Sequence, residues 1–165
     1  RTTNGASWTT YVSALGATKY LRLNNTNAVA TSSNYWNDTA PTSSVFTVGT
    51  DADVNGSNEK YTAYLFATLA GVSKVGSVSH SSSSTDVDCG FSSGARFVLM
   101  KRHDDTSGWY VWDSARGIVS GKDDYFLLNS TAVDATSQDL IDPLSSGFQI
   151  TNGLSNGTYL FYAIA

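Results

Sequence analysis

The stretch "YLFYAIA" occupies Tyr159–Ala165. Every position is apolar or aromatic, so an extended chain here is greasy on both faces. A strand of that kind belongs in the middle of a sheet, with neighbours on either side and cover above and below. "RFVLMK" (Arg96–Lys101) reads the same way. Earlier in the chain "YTAYLFA" (Tyr61–Ala67) repeats the pattern.

Working outward, short runs rich in Tyr, Phe, Val and Thr alternate with clusters of Gly, Asn, Ser and Asp, which is the β pattern. The expected strands are Trp8–Ser13, Tyr20–Asn24, Val45–Val48, Lys60–Ala67, Val72–Ser79, Arg96–Lys101, Trp109–Ser114, Tyr125–Asn129, Gly147–Ile150 and Thr158–Ala165. No window carries a long apolar stripe of helical period. Short helical turns are expected near Asn27–Ser33 and over Ser130–Asp139.

The order of features repeats. "SWTTYVSALG" (Ser7–Gly16) answers to "GWYVWDSARG" (Gly108–Gly117), and "YLRLNNTNAVATS" (Tyr20–Ser32) to "YFLLNSTAVDATS" (Tyr125–Ser137). "SSVFTVG" (Ser43–Gly49) answers to "SSGFQITNG" (Ser145–Gly153), and Tyr61–Ala67 to Tyr159–Ala165. A shared order of this kind is the mark of an internal repeat. The physical reading is two small antiparallel sheets, each with one greasy face, that bury those faces against each other. The expected fold is therefore all-β: a two-sheet antiparallel β-sandwich, jelly-roll or lectin-like, built from an internally duplicated unit. A single domain is expected over 1–165, with copy one at 1–70, a linker at 71–90 and copy two at 91–165. Within the linker, "SHSSSSTDVD" (Ser79–Asp88) reads as a flexible surface loop. Arg1 aligns with Arg102, so copy one lacks an equivalent of the strand Arg96–Lys101. A missing strand there would leave an open sheet edge.

Composition narrows the function. Of 165 residues 41% are hydrophobic and only 15% charged, which fits a globular chain and not a disordered one. A net charge of -4 with scattered Lys and Arg gives no footprint for nucleic acid or an anionic membrane. The longest apolar run is far below the roughly 20 residues that span a bilayer. Cys89 is the only cysteine, so no internal disulfide is expected, and His80 and His103 are the only histidines. No signal peptide is read, and a start at Arg1 reads as a piece of something longer. Sequons stand at Asn24, Asn37, Asn55, Asn129 and Asn156.

"TDADVNGSNEKY" (Thr50–Tyr61) opens like a calcium loop, with Asp51, Asp53 and Asn55 as ligands. Its counterpart "ITNGLSNGTY" (Ile150–Tyr159) keeps an Asn-Gly pair and has neither aspartate. The shared feature is thus a turn, and the position that needs Glu in an EF-hand holds Thr62. Calcium is the one cofactor this sequence suggests, and a hairpin turn is the competing reading.

"GFSSG" (Gly90–Gly94) fits the nucleophile-elbow pattern with Ser92, but a strand follows where a helix is needed. The acid pairs Asp86/Asp88, Asp104/Asp105 and Asp123/Asp124 fall in expected loops, and Glu59 is the only glutamate. That is a poor set for a glycosidase, and no enzyme activity is expected. In "WYVWDSAR" (Trp109–Arg116), alternation puts Tyr110 and Trp112 on one face. They could form an aromatic platform for a sugar ring, with Asp113 and Arg116 bonding its hydroxyls and Trp36 as a further exposed aromatic; the competing reading is core packing with a structural ion pair.

The elements "LGATKYL", "TAPTSSVFTVG", "AYLFA", "SKVGS" and "VWDSAR" run in order along nearly the whole chain. With them the sequence resembles a family of domains in tail-fibre-like and other virion structural proteins of bacteriophages, often marine ones. The resemblance implies a non-enzymatic appendage or fibre module, extracellular or on the virion. Its expected partners are further virion subunits in a homo-oligomer, and a host-surface glycan. Two other readings stay open: a lectin-like carbohydrate-binding module, and a subunit of an extracellular filament or surface layer completed by a neighbour's strand.

Overall fold

The computed structural model describes residues 2, 5–81 and 83–165. Arg1, beside which copy one is expected to lack a strand, lies outside them. In chain order the elements are β1 (Thr9–Thr10), β2 (Lys19–Arg22), β3 (Ala30–Thr31), α1 (Ser33–Trp36), α2 (Ala52–Asn55), β4 (Ser73–His80) and β5 (Thr85–Asp88). They continue with β6 (Phe97–Arg102), β7 (Trp109–Asp113), β8 (Asp123–Leu127), β9 (Ala135–Gln138), β10 (Ile141–Leu144), β11 (Gly147–Ile150) and β12 (Gly157–Ile164). Every strand pairing is antiparallel. The fold is all-β, and the chain divides into two compact units, Arg1–Leu65 and Phe66–Ala165.

The second unit is organised around β12. It pairs with β4 from Gly157 opposite His80 to Ile164 opposite Ser73, and on its other side with β6 from Tyr159 opposite Arg102 to Ile164 opposite Phe97. The sheet order is β4-β12-β6-β7-β8-β9. The odd-numbered β12 side chains Tyr159, Phe161 and Ala163 enter the core, together with Val98 and Met100 of β6 and Trp112 of β7. A second layer, β10-β11-β5, supplies Ile141, Phe148, Ile150 and Val87. Phe148 meets Phe161 edge-on across the two layers, 5.6 Å between centroids. This is a sandwich-like pair of layers. Both are drawn from residues 73–164, which corrects the expectation of one layer from each copy: the first unit has no strand between residues 45 and 65 to build such a layer. Gly76 is required opposite Phe161, because a Cβ there would sit 2.5 Å from the ring.

Asp123 ties the layers at one end. Fully buried at the start of β8, it accepts hydrogen bonds from Val119 N (3.0 Å) and from Ile141 N on β10 (3.2 Å). Burial pushes its carboxyl up to about 6 against the opposing pull of those two donors.

The first unit holds the sheet β1-β2-β3 and a small core of Ala17, Tyr35 and Trp36 with Tyr11, Tyr20 and Val54 packed on it. Ser32 caps α1 by accepting from Asn34 N, and Asn37 ends it in the left-handed region (φ 51°). The helical turn expected near Asn27–Ser33 therefore sits one step later, after β3. The turn expected over Ser130–Asp139 is instead the strand β9, and the polar loop Ser79–Asp88 contains β5. Val45–Val48 and Lys60–Ala67 form no strand.

The two hairpins β1–β2 and β7–β8 share their details. Thr9 faces Arg22 and Thr10 faces Leu21, while Tyr110 faces Leu127 and Val111 faces Phe126. Trp8 N donates to Asn24 Oδ1 (3.1 Å), and Trp109 N to Asn129 Oδ1 (2.7 Å). Those pairs fall at the positions that the repeated order of the sequence aligns.

Phe148→Ala should cost about 3–5 kcal/mol in urea unfolding, since it opens a void between the layers. A loss under about 1 kcal/mol would mean that the layers do not meet there. For Asp123 the folded pKa lies above the ordinary 3.8, so the native state binds the extra proton between those values. Relative to Asp123→Asn, the parent should gain stability as pH falls from about 6 to about 4. A pH-independent difference between the two proteins, read by urea midpoints, would contradict this.

Candidate functional site

β4 lies at the edge of the large sheet, and β12 is the one strand among the described residues that pairs with it. Ala165 N donates to Val72 O (2.9 Å), so the even-numbered main-chain groups of this strand face β12. The odd-numbered groups point away. Ser73 and Leu69 exchange both main-chain hydrogen bonds, each 2.9 Å. Ser73 Oγ also donates to Ala67 O (2.8 Å), and the next outward N–H, on Val75, is taken by Thr68 Oγ1 (3.1 Å). At Ser77 and Ser79, both exposed, no described residue takes up the outward N–H or C=O. β4 therefore ends in a short length of unpaired sheet edge.

The chain leading into this strand is unusual. Every residue from 61 to 72 is exposed, including Tyr64 (68%), Leu65 (79%) and Phe66 (62%). The run is held at its ends. The Tyr61 hydroxyl donates to Ala52 O (2.8 Å) and accepts from Gly56 N (2.7 Å), and Leu69 is fixed to Ser73. Between them the Phe66 ring lies 4.8 Å from Tyr162, and Ala67 and Thr68 bond to β4 as above. Contiguous apolar side chains open to water are a feature of interaction surfaces.

The residues singled out for a sugar platform are placed otherwise. Trp112 is 0% exposed and sits in the core, with Tyr110 stacked on it at 5.5 Å and Tyr125 at 5.6 Å. It has no face to offer a ring, which corrects the platform reading. Trp36 is buried in the first unit, where its Nε1 donates to Lys19 O (3.0 Å). Asp113 and Arg116 do form the anticipated ion pair, and Arg116 also reaches Asp134 (2.8 Å) and lies over the Phe126 ring (4.8 Å). The Asp113 carboxyl is held below its usual range, chiefly by the main-chain N–H of Arg116 and then by its guanidinium. This cluster braces the end of a hairpin.

The acids of the suspected calcium loop are also engaged. Asp51 caps α2 by accepting from Asp53 N (2.9 Å). Asp53 pairs with Arg22 (3.3 Å) and lies 3.4 Å from the Tyr35 hydroxyl. Asn55 donates to Gly49 O (2.9 Å). A guanidinium in the site opposes a cation, and the capping carboxylate is aimed at the helix. The segment is a capped helical turn, which replaces both the metal loop and the hairpin turn expected from sequence. Among the described residues no group of three or more His, Cys, Asp or Glu side chains is placed to hold a metal.

Ser92 is exposed in the loop before β6, and no helix follows it. Asp86 and Asp88 lie on β5 and Asp123 and Asp124 on β8, so those pairs are strand residues and not loop acids as expected. Asp104 and Asp105 both face Arg102, at 2.8 and 3.5 Å. A shallow cavity of about 380 Å³ is lined in part by Thr68, Lys74, Asp88 and Cys89. Burial pushes the Cys89 thiol up to about 11, so it is not a thiolate nucleophile at neutral pH. Among the described residues no helix is long and apolar enough to cross a membrane.

Sequence reasoning missed the β4 edge. The signal was present: Val75–Ser79 contains no charge and no proline, the usual guards of an exposed edge.

These features define an antiparallel all-β protein whose open feature is a sheet edge and an apolar run. Residues 1–165 match the family described as "Domain of unknown function (DUF7483)", and the chain belongs to that family. Comparison with curated proteins and with solved structures gives no match.

Calcium at millimolar concentration should leave the melting curve unchanged, whereas Asp51→Ala should cost about 0.5–2 kcal/mol through loss of the cap. A calcium-dependent rise in melting temperature that Asp51→Ala abolishes would restore the metal site.

Proposed function

We propose that this chain is a non-catalytic structural module that works in an assembly of copies of itself, on a particle or appendage outside the cell. One observation carries the reading: Tyr64, Leu65 and Phe66 stand open to water side by side, whereas the second unit buries Trp109, Trp112, Phe148, Tyr159 and Phe161. Exposed side chains of this size favour association, at about 1.5–3 kcal/mol for each one fully covered. The low charge content and the abundance of Ser, Thr and Asn suit a rigid polar surface elsewhere. The resemblance of the sequence to structural domains of phage virions supports the same reading and suggests the particle.

The test is the mass of the full chain in solution, by light scattering or sedimentation over a wide concentration range. More than one chain per particle is expected, with dissociation when Leu65→Asp is introduced. A protein that stays monomeric at every concentration would overturn the proposal.

A further inference from the structure

We infer that the free edge of β4 takes up residues 61–65 of a second copy of this chain as an added antiparallel strand, with Leu65 of the incoming copy opposite Ser77 and Ala63 opposite Ser79. The inference rests on the assembly reading above and specifies the surface that makes it. It starts from parity. In an antiparallel pair, residues directly opposite each other exchange both main-chain hydrogen bonds or neither. Leu69 and Ser73 of the same chain exchange both. Continuing that register, the next pairs that bond are 67 with 75, 65 with 77 and 63 with 79. The outward groups of β4 are the odd-numbered ones, so the register fits the edge that is open.

Within one chain the zip stops early. The Thr68 hydroxyl stands where a main-chain acceptor would meet Val75 N, and residues 61–65 carry no strand. Ser77 and Ser79 are left with their groups unmet. A segment able to pair in its own chain can pair in a neighbour with the same contacts, which is the basis of domain swapping.

The incoming segment is strand-like in its own right. "YTAYLFA" is close in composition to "YLFYAIA", which in β12 already occupies the other side of β4, and shares with it the Tyr, Tyr and Ala at the first, fourth and seventh positions. The other edges of the second unit's sheets are guarded. β5 carries Asp86 and Asp88, β10 contains Pro143, and β9 is a four-residue strand with Ser137 at φ 71°. Charge, proline and backbone irregularity on an edge discourage further pairing. From Val75 to Ser79 the edge of β4 has none of these.

Two cysteines at directly opposed bonded positions would have Cα atoms about 5.5 Å apart, within disulfide range. The full-length variants Leu65→Cys and Ser77→Cys should therefore give a mixed disulfide between chains when combined and oxidised, and little when oxidised separately. Ser77→Pro removes an outward N–H that β12 does not use. It should keep the parent urea midpoint and weaken assembly by about tenfold or more, as expected for lost main-chain bonds and a blocked edge. Assembly that persists unchanged in Ser77→Pro, without the mixed disulfide, would overturn this inference and leave the assembly reading standing. A disulfide formed inside single monomers of the doubly substituted chain would also overturn it, by showing that the segment closes on its own β4. A parent chain that never assembles removes both readings together.

Discussion

Main-chain pairing on both sides of β12 sets the rest of the second unit. With β4 on one flank and β6 on the other, every inner N–H and C=O of the strand has a partner, which lets Tyr159, Leu160 and Phe161 be buried without stranding polar groups. The same pairing fixes which side chains meet the second layer, since a shift of one residue would exchange Phe161 for Leu160 in the core. It also fixes the parity of β4. Its even-numbered groups are committed to β12, and only the odd-numbered ones remain for another strand. The interior of the sandwich and the character of its open edge thus follow from one register.

Much of this architecture was legible because the central strands carry their own signal. Gly147–Ile150 falls where the sequence places it, and the boundaries of β4, β6, β7 and β12 lie within a residue of expectation. Strands β5 and β10 gave no such signal. "TDVD" is short and polar, "IDPL" is short and holds a proline, and they pair as strands on either side of β11. The opposite failure occurs at Val45–Val48 and Lys60–Ala67. Both have strand composition, yet no neighbour provides a ladder. β propensity describes fit to a pleated neighbour, and a single sequence does not say whether that neighbour exists.

Side-chain roles were harder to read than elements. Alternation placed Tyr110 and Trp112 on one face of β7, and they do share it. Alternation is silent about which face is covered, and in β7 Trp109, Val111 and Trp112 are all buried. Asp51, Asp53 and Asn55 are the right residue types for calcium, but ligand chemistry in a sequence does not reveal prior engagements. Here a helix cap, the Arg22 guanidinium and the Gly49 carbonyl already hold them. Asn24 and Asn129 likewise carry roles that composition does not reveal: each side chain accepts from the main-chain N–H of a tryptophan, Trp8 and Trp109.

The contrast between Tyr61–Ala67 and Tyr159–Ala165 turns on partners. In β12 the aromatic residues are covered and the backbone is paired, whereas the earlier stretch keeps its composition and stands in water. Covering Tyr64, Leu65 and Phe66 would contribute roughly 5–9 kcal/mol at about 1.5–3 kcal/mol each. Bringing two chains together costs about 4–15 kcal/mol in lost freedom. One strand donated in one direction is therefore close to balance and makes a weak contact. A reciprocal exchange, in which each of two copies donates to the β4 edge of the other, doubles the gain against a single association cost. An open series gains less per contact and grows with concentration. On these magnitudes a closed, two-fold exchange would be favoured over one-way donation.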